Sequence, residues 1–220
     1  MQYKNLIIIG TSHISKQSIN KVKQTLLKTK PDIIAIELDK KRFLSLIQNK
    51  KLNLKDIKHL GLKIFLLNAL GSYIQKKLGK IVQTEPGSDM KIAIQIAKKI
   101  NAKIALIDQP VDITLKKLTK TPLKEKLRFV KDILRDIFIK KQRIEFDLTK
   151  VPSQSLINKL IKKLKKDYPY IYQVLIKERN QIMAKNLYNL MLNNKSVVAI
   201  VGAGHKKEIL NLIKCHNSQK

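Results

Sequence analysis

Four short runs of apolar, largely β-branched residues recur along the chain, at positions 6–9, 33–36, 103–107 and 196–201. Each run is nearly continuous rather than alternating, which is typical of strands buried on both faces of a sheet. The residues between the runs repeat at helical spacing instead, over 17–28, 40–48 and 89–100. Strands that alternate with helices predict β-α-β units and an α/β fold with a mostly parallel central sheet and flanking helices.

The stretch from about 111 to 192 is more helical than the rest of the chain. Five apolar residues share one face of a predicted helix, namely Leu123, Leu127, Val130, Leu134 and Ile137. A longer helix is predicted over about 169–192, and a last strand and a short helix at 206–212 follow it. We expect that strand to return to the first sheet. The prediction is therefore one α/β domain over residues 1–220, with a helical insertion at about 111–192.

The chain is strongly basic, with 46 Lys and Arg against 16 Asp and Glu and a formal net charge of +30. Such a charge suggests nucleic acid or an anionic membrane as a partner. However, only five of the basic residues are Arg, Trp is absent, and both halves of the chain are similarly basic. Base recognition and base stacking rely on those two residue types. Codon bias toward Lys, Ile and Asn also explains the charge, so no specific nucleic-acid partner is expected.

Two further features of the sequence concern the cellular compartment of the protein. No apolar run approaches the roughly 20 residues that a membrane-spanning helix needs, and the first residues do not resemble a signal peptide. Cys215 is the only cysteine, which excludes an internal disulfide framework and a cysteine-rich zinc module. We therefore expect a cytoplasmic protein. The basic segment 159–166 (KLIKKLKK) suggests at most a weak association with an anionic membrane surface, because such segments are more often helices with a solvated lysine face.

Chemically distinctive residues follow each predicted strand at its carboxyl end: Gly10 and His13 after the first, Glu37 after the second, Asp108 after the third, and Gly202 and His205 after the last. In open α/β sheets, ligands bind outside the carboxyl ends of the strands. Two of the four histidines thus share the same G-x-x-H position after a strand. We expect both to lie at one edge of the sheet, close enough to bind one ligand or metal ion.

Two neutral imidazoles and a carboxylate form a common ligand set for a divalent transition metal with an open coordination position. A metal there would activate water or polarise a carbonyl. Without a metal, His and Glu would still serve as general base and acid. The structural alternative is that His13 and His205 cap the adjacent helices by bonding to the backbone.

Three stretches carry a resemblance to a known family. They are IIIGTSHISKQSINKVKQTLLKTKPDIIAIELDKKR, EPGSDMKIAIQIAKKINAKIALIDQPVDITLKKL, and ERNQIMAKNLYNLM followed by VVAIVGAGH. With the two GxxH motifs and the ELD glutamate, these stretches resemble the TraB/PrgY/GumN family, which includes the TIKI proteins. That family is similar to erythromycin-esterase-like and ChaN-like α/β proteins. The resemblance covers most of the chain, and segments 53–83 and about 120–170 match least.

The resemblance implies a metal-dependent hydrolase, and more narrowly a peptidase, because TIKI members are regarded as metal-dependent proteases. It places His13, His205 and Glu37 around a divalent ion (Mn, Co or Zn), with Glu37 as ligand or general base. Arg179 would hold a substrate carboxylate or the developing oxyanion. PrgY and TraB limit the activity of peptide pheromones, so the alternative is a protein that binds a peptide or small molecule without chemistry.

Four residues are expected to contact substrate or to support the ligands: Gly10, Asp108, Arg179 and Gly202. Arg179 has a structural alternative, because it follows Glu178 and could join a surface ion pair. The chain departs from the family pattern at Gln109, where many members have Arg, and at Asp89, where Glu is usual. Both departures concern expected substrate contacts.

Overall fold

The computed structural model describes residues 1–12, 15–48, 87–138 and 153–218. Within them, five strands form one sheet: β1 (Gln2–Tyr3), β2 (Leu6–Thr11), β3 (Ile33–Ile36), β4 (Lys103–Leu106) and β5 (Val197–Gly202). The strand order is β1-β2-β5-β3-β4. β1 pairs antiparallel with β2, and every other pair is parallel. The predicted mostly parallel sheet is confirmed, and the short β1 is an addition that its polar sequence did not indicate.

Helices of the described residues flank this sheet: α1 (Lys16–Thr29), α2 (Lys40–Ile47), α3 (Ser88–Ile100), α4 (Val111–Thr119), α5 (Leu123–Phe138), α6 (Gln154–Asp167), α7 (Pro169–Tyr172), α8 (Glu178–Asn193) and α9 (Ala203–Ser218). A single π-helical turn, Gln173–Lys177, joins α7 to α8. The long predicted helix at 169–192 therefore exists, with this turn inside it. The last helix is longer than the predicted 206–212, since it starts directly after β5.

The sheet is buried on both faces, as the continuous apolar runs predict. On one face, side chains such as Ile8 and Ala199 pack with Met183 of α8 and Ile209 of α9. On the other face, residues such as Ile34 and Ile200 pack against α1 and α3. Because successive strand residues alternate between the faces, each strand needs apolar residues at every position. The result is a three-layer α/β/α core.

β5 lies in the middle of the sheet, between β2 and β3. The last strand therefore returns to the first sheet, as expected, after the helical stretch that starts at α4. This placement brings a segment near residue 200 beside segments from the first 40 residues. It determines which loops meet at the carboxyl edge.

The described start of one predicted apolar face is not covered. Leu123 is 70% exposed and Leu127 is 62% exposed at the start of α5. In α6, by contrast, Ile157 is buried while Lys159, Lys162 and Lys163 are exposed, which fits a helix with a solvated lysine face. None of the helices in the described ranges combines the length and apolarity needed to cross a membrane.

Candidate active site

The carboxyl ends of β2, β5 and β3 lie side by side at one edge of the sheet. Thr11 of β2 is in register with Gly202 of β5, and Ile36 of β3 is in register with Ile200 of β5. The Glu37 N–H extends this ladder by donating to the Ile200 carbonyl at 3.1 Å. The first and last long strands are thus neighbours. Glu37 joins them from the far side of β5, since β3 does not pair with β2.

Glu37 is buried at this edge, and both of its carboxylate oxygens accept hydrogen bonds. Its Oε2 accepts from the Gly202 N–H at 2.6 Å, and its Oε1 accepts from Arg179 Nη2 at 2.5 Å. His205 Nε2 lies 3.5 Å from the same Oε1. The residue therefore links β3, the end of β5, α8 and α9 in one cluster.

Arg179 and Asp108 form a two-point ion pair beside Glu37. Arg179 Nε donates to Asp108 Oδ1 at 3.0 Å, and Nη2 donates to Oδ2 at 2.6 Å. Nη1 donates to the Leu175 carbonyl at 3.2 Å. Each nitrogen of this guanidinium thus contacts a protein acceptor. The surface ion pair that its neighbour Glu178 suggested is not formed by Arg179, since Glu178 pairs with Lys117 instead.

The charges of this pair are strongly held. Burial alone raises the pKa of Asp108, but hydrogen bonds and charges from Arg179 and Arg42 outweigh burial and bring that pKa below its ordinary value. Burial acts to lower the pKa of Arg179, yet Asp108 and Glu37 outweigh it and raise that pKa. Both groups stay ionised over the whole physiological range. The bidentate geometry is one that Arg provides and Lys does not.

A second arginine extends the cluster. Arg42 Nη2 donates to Asp108 Oδ2 and Arg42 Nε donates to Asp39 Oδ2, each at 2.6 Å. Asp39 also caps α2 by accepting from the Lys41 and Arg42 N–H groups, and it accepts from the Val111 N–H at the start of α4. Three carboxylates thus face two guanidinium groups. One unit of negative charge is left over at the edge of the sheet when His205 is neutral.

His205 is held by Asn180, which is completely buried. The distance from His205 Nδ1 to Asn180 Oδ1 is 2.6 Å. Since an amide oxygen only accepts, Nδ1 of His205 carries a proton. Nε2 is the ring nitrogen that faces Glu37, 3.5 Å from its carboxylate. The position between them suits a proton or a cation.

The π-helical turn positions these two α8 residues. The Glu178 N–H donates to the Gln173 carbonyl five residues earlier, so the turn holds one residue more than an α-helical turn. Arg179 and Asn180 follow directly. The extra residue rotates them about the axis relative to α7, and such turns occur frequently at functional sites.

A cleft of about 440 Å³ opens at this cluster. Glu37 and His205 lie at one side of it, and α6 supplies an apolar wall of Ile157, Leu160 and Ile161. Leu160 is 44% exposed at the cleft, so it leaves apolar surface open to a ligand. Reactive polar groups next to an apolar wall are the usual composition of a small-ligand site.

The predicted metal site is only partly described. His13 lies outside the described residues, so its approach to His205 stays a prediction. Within those residues, no group of three or more His, Cys, Asp or Glu side chains is arranged to hold a metal ion. Glu37 and His205 provide two adjacent donors, and the cluster's surplus negative charge suits a cation.

The two motif glycines have distinct structural roles. A Cβ added to Gly10 would lie 3.0 Å from Lys206 Cδ and 3.2 Å from Ala203 Cα, so Gly10 lets the start of α9 approach β2 closely. Gly202 donates its N–H to Glu37. Of the two departures from the family pattern, Gln109 donates to Thr114 at 2.7 Å, and Asp89 is buried at the start of α3.

Three residues of the cluster escaped the sequence analysis: Asp39, Arg42 and Asn180. Arg42 had a signal, because it is one of only five Arg in a chain that otherwise uses Lys. Asp39 also had one, as the aspartate of the ELD motif directly before a predicted helix. Asn180 had no signal beyond its place next to Arg179.

The fold and the edge cluster define an α/β protein with a buried Glu–Arg–Asp network beside a tautomer-fixed histidine. Comparison with known proteins adds the family. The family model described as TraB/PrgY/gumN matches residues 2–219. The chain belongs to the TraB/PrgY/gumN family, so the resemblance noted from the motifs is confirmed.

Individual relatives agree with this assignment. An uncharacterised protein of Methanocaldococcus jannaschii is 41% identical over 219 residues, which cover 96% of this chain and 53% of the relative. TraB domain-containing proteins of Bos taurus and Homo sapiens are each 22% identical over 231 residues, covering 90% of this chain and 59% and 60% of the relatives. The chain therefore spans a little more than half the length of these relatives.

Proposed function

We propose that the chain is a metal-dependent hydrolase that acts on peptides, with the cleft beside Glu37 and His205 as its active site. The observation that supports this most is the approach of His205 Nε2 to within 3.5 Å of the Glu37 carboxylate at the side of a cleft. An imidazole and a carboxylate this close, next to space for a ligand, suit general acid–base or metal chemistry. Family membership and the activity regarded as typical of TIKI members favour the same proposal.

The residues of the chain have separate roles in this proposal. His205 accepts a proton or binds a cation through Nε2, because Asn180 fixes the proton on Nδ1. Glu37 is better suited to bind a cation than to act as a general base. Two hydrogen-bond donors already stabilise its ionised carboxylate, which disfavours proton uptake. Arg179 holds Glu37 and Asp108 in place, and its contacts make it an organising group rather than the substrate-binding group that the resemblance implies.

A divalent ion (Mn, Co or Zn) fits the donor chemistry in part. His205 and Glu37 would hold it, and His13 is the proposed third ligand. When bound, such an ion would activate water or polarise the scissile carbonyl. Arg179 already places one positive charge on Glu37 Oε1. The three carboxylates exceed the two guanidinium groups by one charge, so this surplus would offset only half the charge of a divalent ion.

The alternative is a protein that binds a peptide or small molecule without cleaving it. The contacts of Arg179 favour this alternative, because four of its five N–H groups are engaged by protein acceptors and only the second N–H of Nη1 is left for a developing oxyanion. The two proposals differ in whether the ligand is returned intact.

The test measures two properties of the purified full chain. Elemental analysis gives its metal content, and an activity assay follows hydrolysis of a panel of peptides and esters with added Mn²⁺, Co²⁺ or Zn²⁺. We expect metal-stimulated peptide cleavage that is lost in His205→Ala. The matched control is His216→Ala, an exposed histidine of α9, which should keep wild-type activity. A chain that carries no metal and cleaves nothing contradicts the proposal, and a peptide that binds but is recovered intact supports the alternative.

A further inference from the structure

A second cavity adjoins the cleft and belongs to no role discussed so far. It has a volume of about 310 Å³ and lies between α6, the π-helical turn and α9. Four side-chain amides line it, so we call it the amide cavity: Gln154, Asn158, Asn180 and Asn211. Ile161 and Gly204 line both the amide cavity and the cleft. One ligand can therefore occupy both spaces.

Asn180, which lines this cavity, has a side-chain N–H donor without an acceptor. Its Oδ1 is engaged by His205, while its buried Nδ2 has no hydrogen-bond partner in the structure. An unsatisfied buried donor is costly, and native proteins keep few of them. Asn180 lines the amide cavity, so the carbonyl oxygen of a ligand there would accept from Nδ2 once the side chains that cover this donor move.

Other lining groups also have unused hydrogen-bonding capacity. Gln154 donates to Asn158 at 3.1 Å, which leaves the Asn158 amide as a donor and the Gln154 oxygen as an acceptor. Within the described residues, the side chains of Lys207 and Asn211 form no hydrogen bond or ion pair. Burial and the nearby Glu208 raise the pKa of Tyr172, so its hydroxyl stays protonated and can donate.

We propose that the amide cavity binds the main chain of an extended peptide whose scissile bond lies at Glu37 and His205. This inference rests on the proposed function and names the substrate as a peptide several residues long. A peptide main chain offers one donor and one acceptor per residue, which matches amide side chains that both donate and accept. An anionic group fits less well, because the carboxylate of Glu208 lines the same cavity as Lys207.

The apolar wall of the cleft adds a second feature to the substrate. The wall of the cleft that α6 supplies is apolar, with Ile157, Leu160 and Ile161. A substrate side chain that lies against this wall, next to the scissile bond, should therefore be apolar. The main chain then continues past Ile161 and Gly204 into the amide cavity. Chain length and main-chain hydrogen bonds, rather than charge, would select the substrate.

The first test compares an acetylated hexapeptide with an acetylated dipeptide that has the same scissile pair. For Asn211→Ala, we expect kcat/KM for the hexapeptide relative to the dipeptide to fall about threefold to tenfold, mainly through KM. The matched control is Asn189→Ala, an exposed asparagine of α8 outside both cavities, which should leave the ratio unchanged. A ratio that Asn211→Ala does not change overturns the proposal.

The second test narrows the passage between the two spaces. A Cβ on Gly204 would lie 3.7 Å from Ile161 Cδ1, which is an ordinary contact, so Gly204→Ala should fold normally. The added methyl group reduces the opening, and we expect a larger loss of kcat/KM for the hexapeptide than for the dipeptide. Equal losses for both peptides contradict the proposal.

A binding measurement separates this proposal from the proposed function. Fluorescence anisotropy follows a labelled hexapeptide on the wild type and on Asn211→Ala. If neither peptide is cleaved but the hexapeptide binds and Asn211→Ala weakens it threefold to tenfold, the hydrolase proposal fails and the amide cavity is still the peptide site. If the hexapeptide binds no better than the dipeptide, the amide cavity is not that site.

Discussion

Asn180 accepts a hydrogen bond of 2.6 Å from His205, and both side chains are buried. The contact fixes which imidazole nitrogen carries the proton. In Asn180→Leu the acceptor is lost, so we expect ¹⁵N NMR of His205 to show a smaller share of the Nδ1-protonated tautomer. Removal of such an orienting partner typically costs about 10–100-fold in metal affinity or activity.

The control for this substitution is Asn189→Leu, on the exposed side of the same helix. It should leave the His205 tautomer and the activity unchanged. If Asn180→Leu keeps the wild-type tautomer, the orienting role assigned to Asn180 is wrong, whatever its effect on stability.

Arg179→Lys should destabilise the protein although the charge is conserved. A lysine cannot replace the two-point contact with Asp108 and at the same time reach Glu37. Because both carboxylates are buried, we expect a loss of about 3–5 kcal/mol in the free energy of unfolding, measured by urea denaturation. Arg128→Lys is the control, since this arginine is 57% exposed and its pairs with acids should change stability by less than about 1 kcal/mol.

Stability should depend on the ionisation of Asp108 in acid. Its pKa is lower in the folded protein than in the unfolded chain, so its stabilising effect is complete above about pH 4. The effect is lost as the pH falls through the folded pKa, because the unfolded chain then binds more protons. We expect Asp108→Asn to show a shallower decline of unfolding free energy below about pH 4 than the wild type. An unchanged slope would contradict the charge state assigned here.

Gly10→Ala tests a purely structural role for a motif residue. The new methyl group would meet the Ala203 backbone at 3.2 Å, and overpacking of this kind costs about 1–3 kcal/mol. Thermal unfolding should show a lower Tm for Gly10→Ala. Gly204→Ala, whose nearest neighbour would be 3.7 Å away, should not lower it.

The sequence predicted the strands and most helices well, for identifiable reasons. The run 33–36 is apolar at every position because both faces of β3 are covered, and Asn101 ends α3 in the left-handed conformation with φ 57°. Strand order was harder to predict. The position of β5 between β2 and β3 depends on packing across the whole sheet, so no local pattern shows it.

The candidate site was predicted only in part. Glu37, Asp108 and His205 stand directly after buried strands, where the topology of a parallel sheet predicts a ligand edge. Asn180 could not be found in this way, because it lies inside a helix and is linked to the site by its contact with His205, 25 residues away. The sequence also did not show that Arg179 joins the buried network. Its neighbour Glu178 suggested a surface ion pair instead, but in the structure Glu178 pairs with Lys117.

The measurement that tests the central proposal most directly is an anomalous difference map from crystals of the full chain soaked in Mn²⁺ or Zn²⁺. We predict one strong peak at bonding distance, about 2.0–2.2 Å, from His205 Nε2 and a Glu37 oxygen, with His13 as the third ligand. This map also tests whether the two GxxH histidines converge. A map with no peak at this edge, or with His13 on the opposite side of the sheet, would contradict the metal site and the catalytic roles that depend on it.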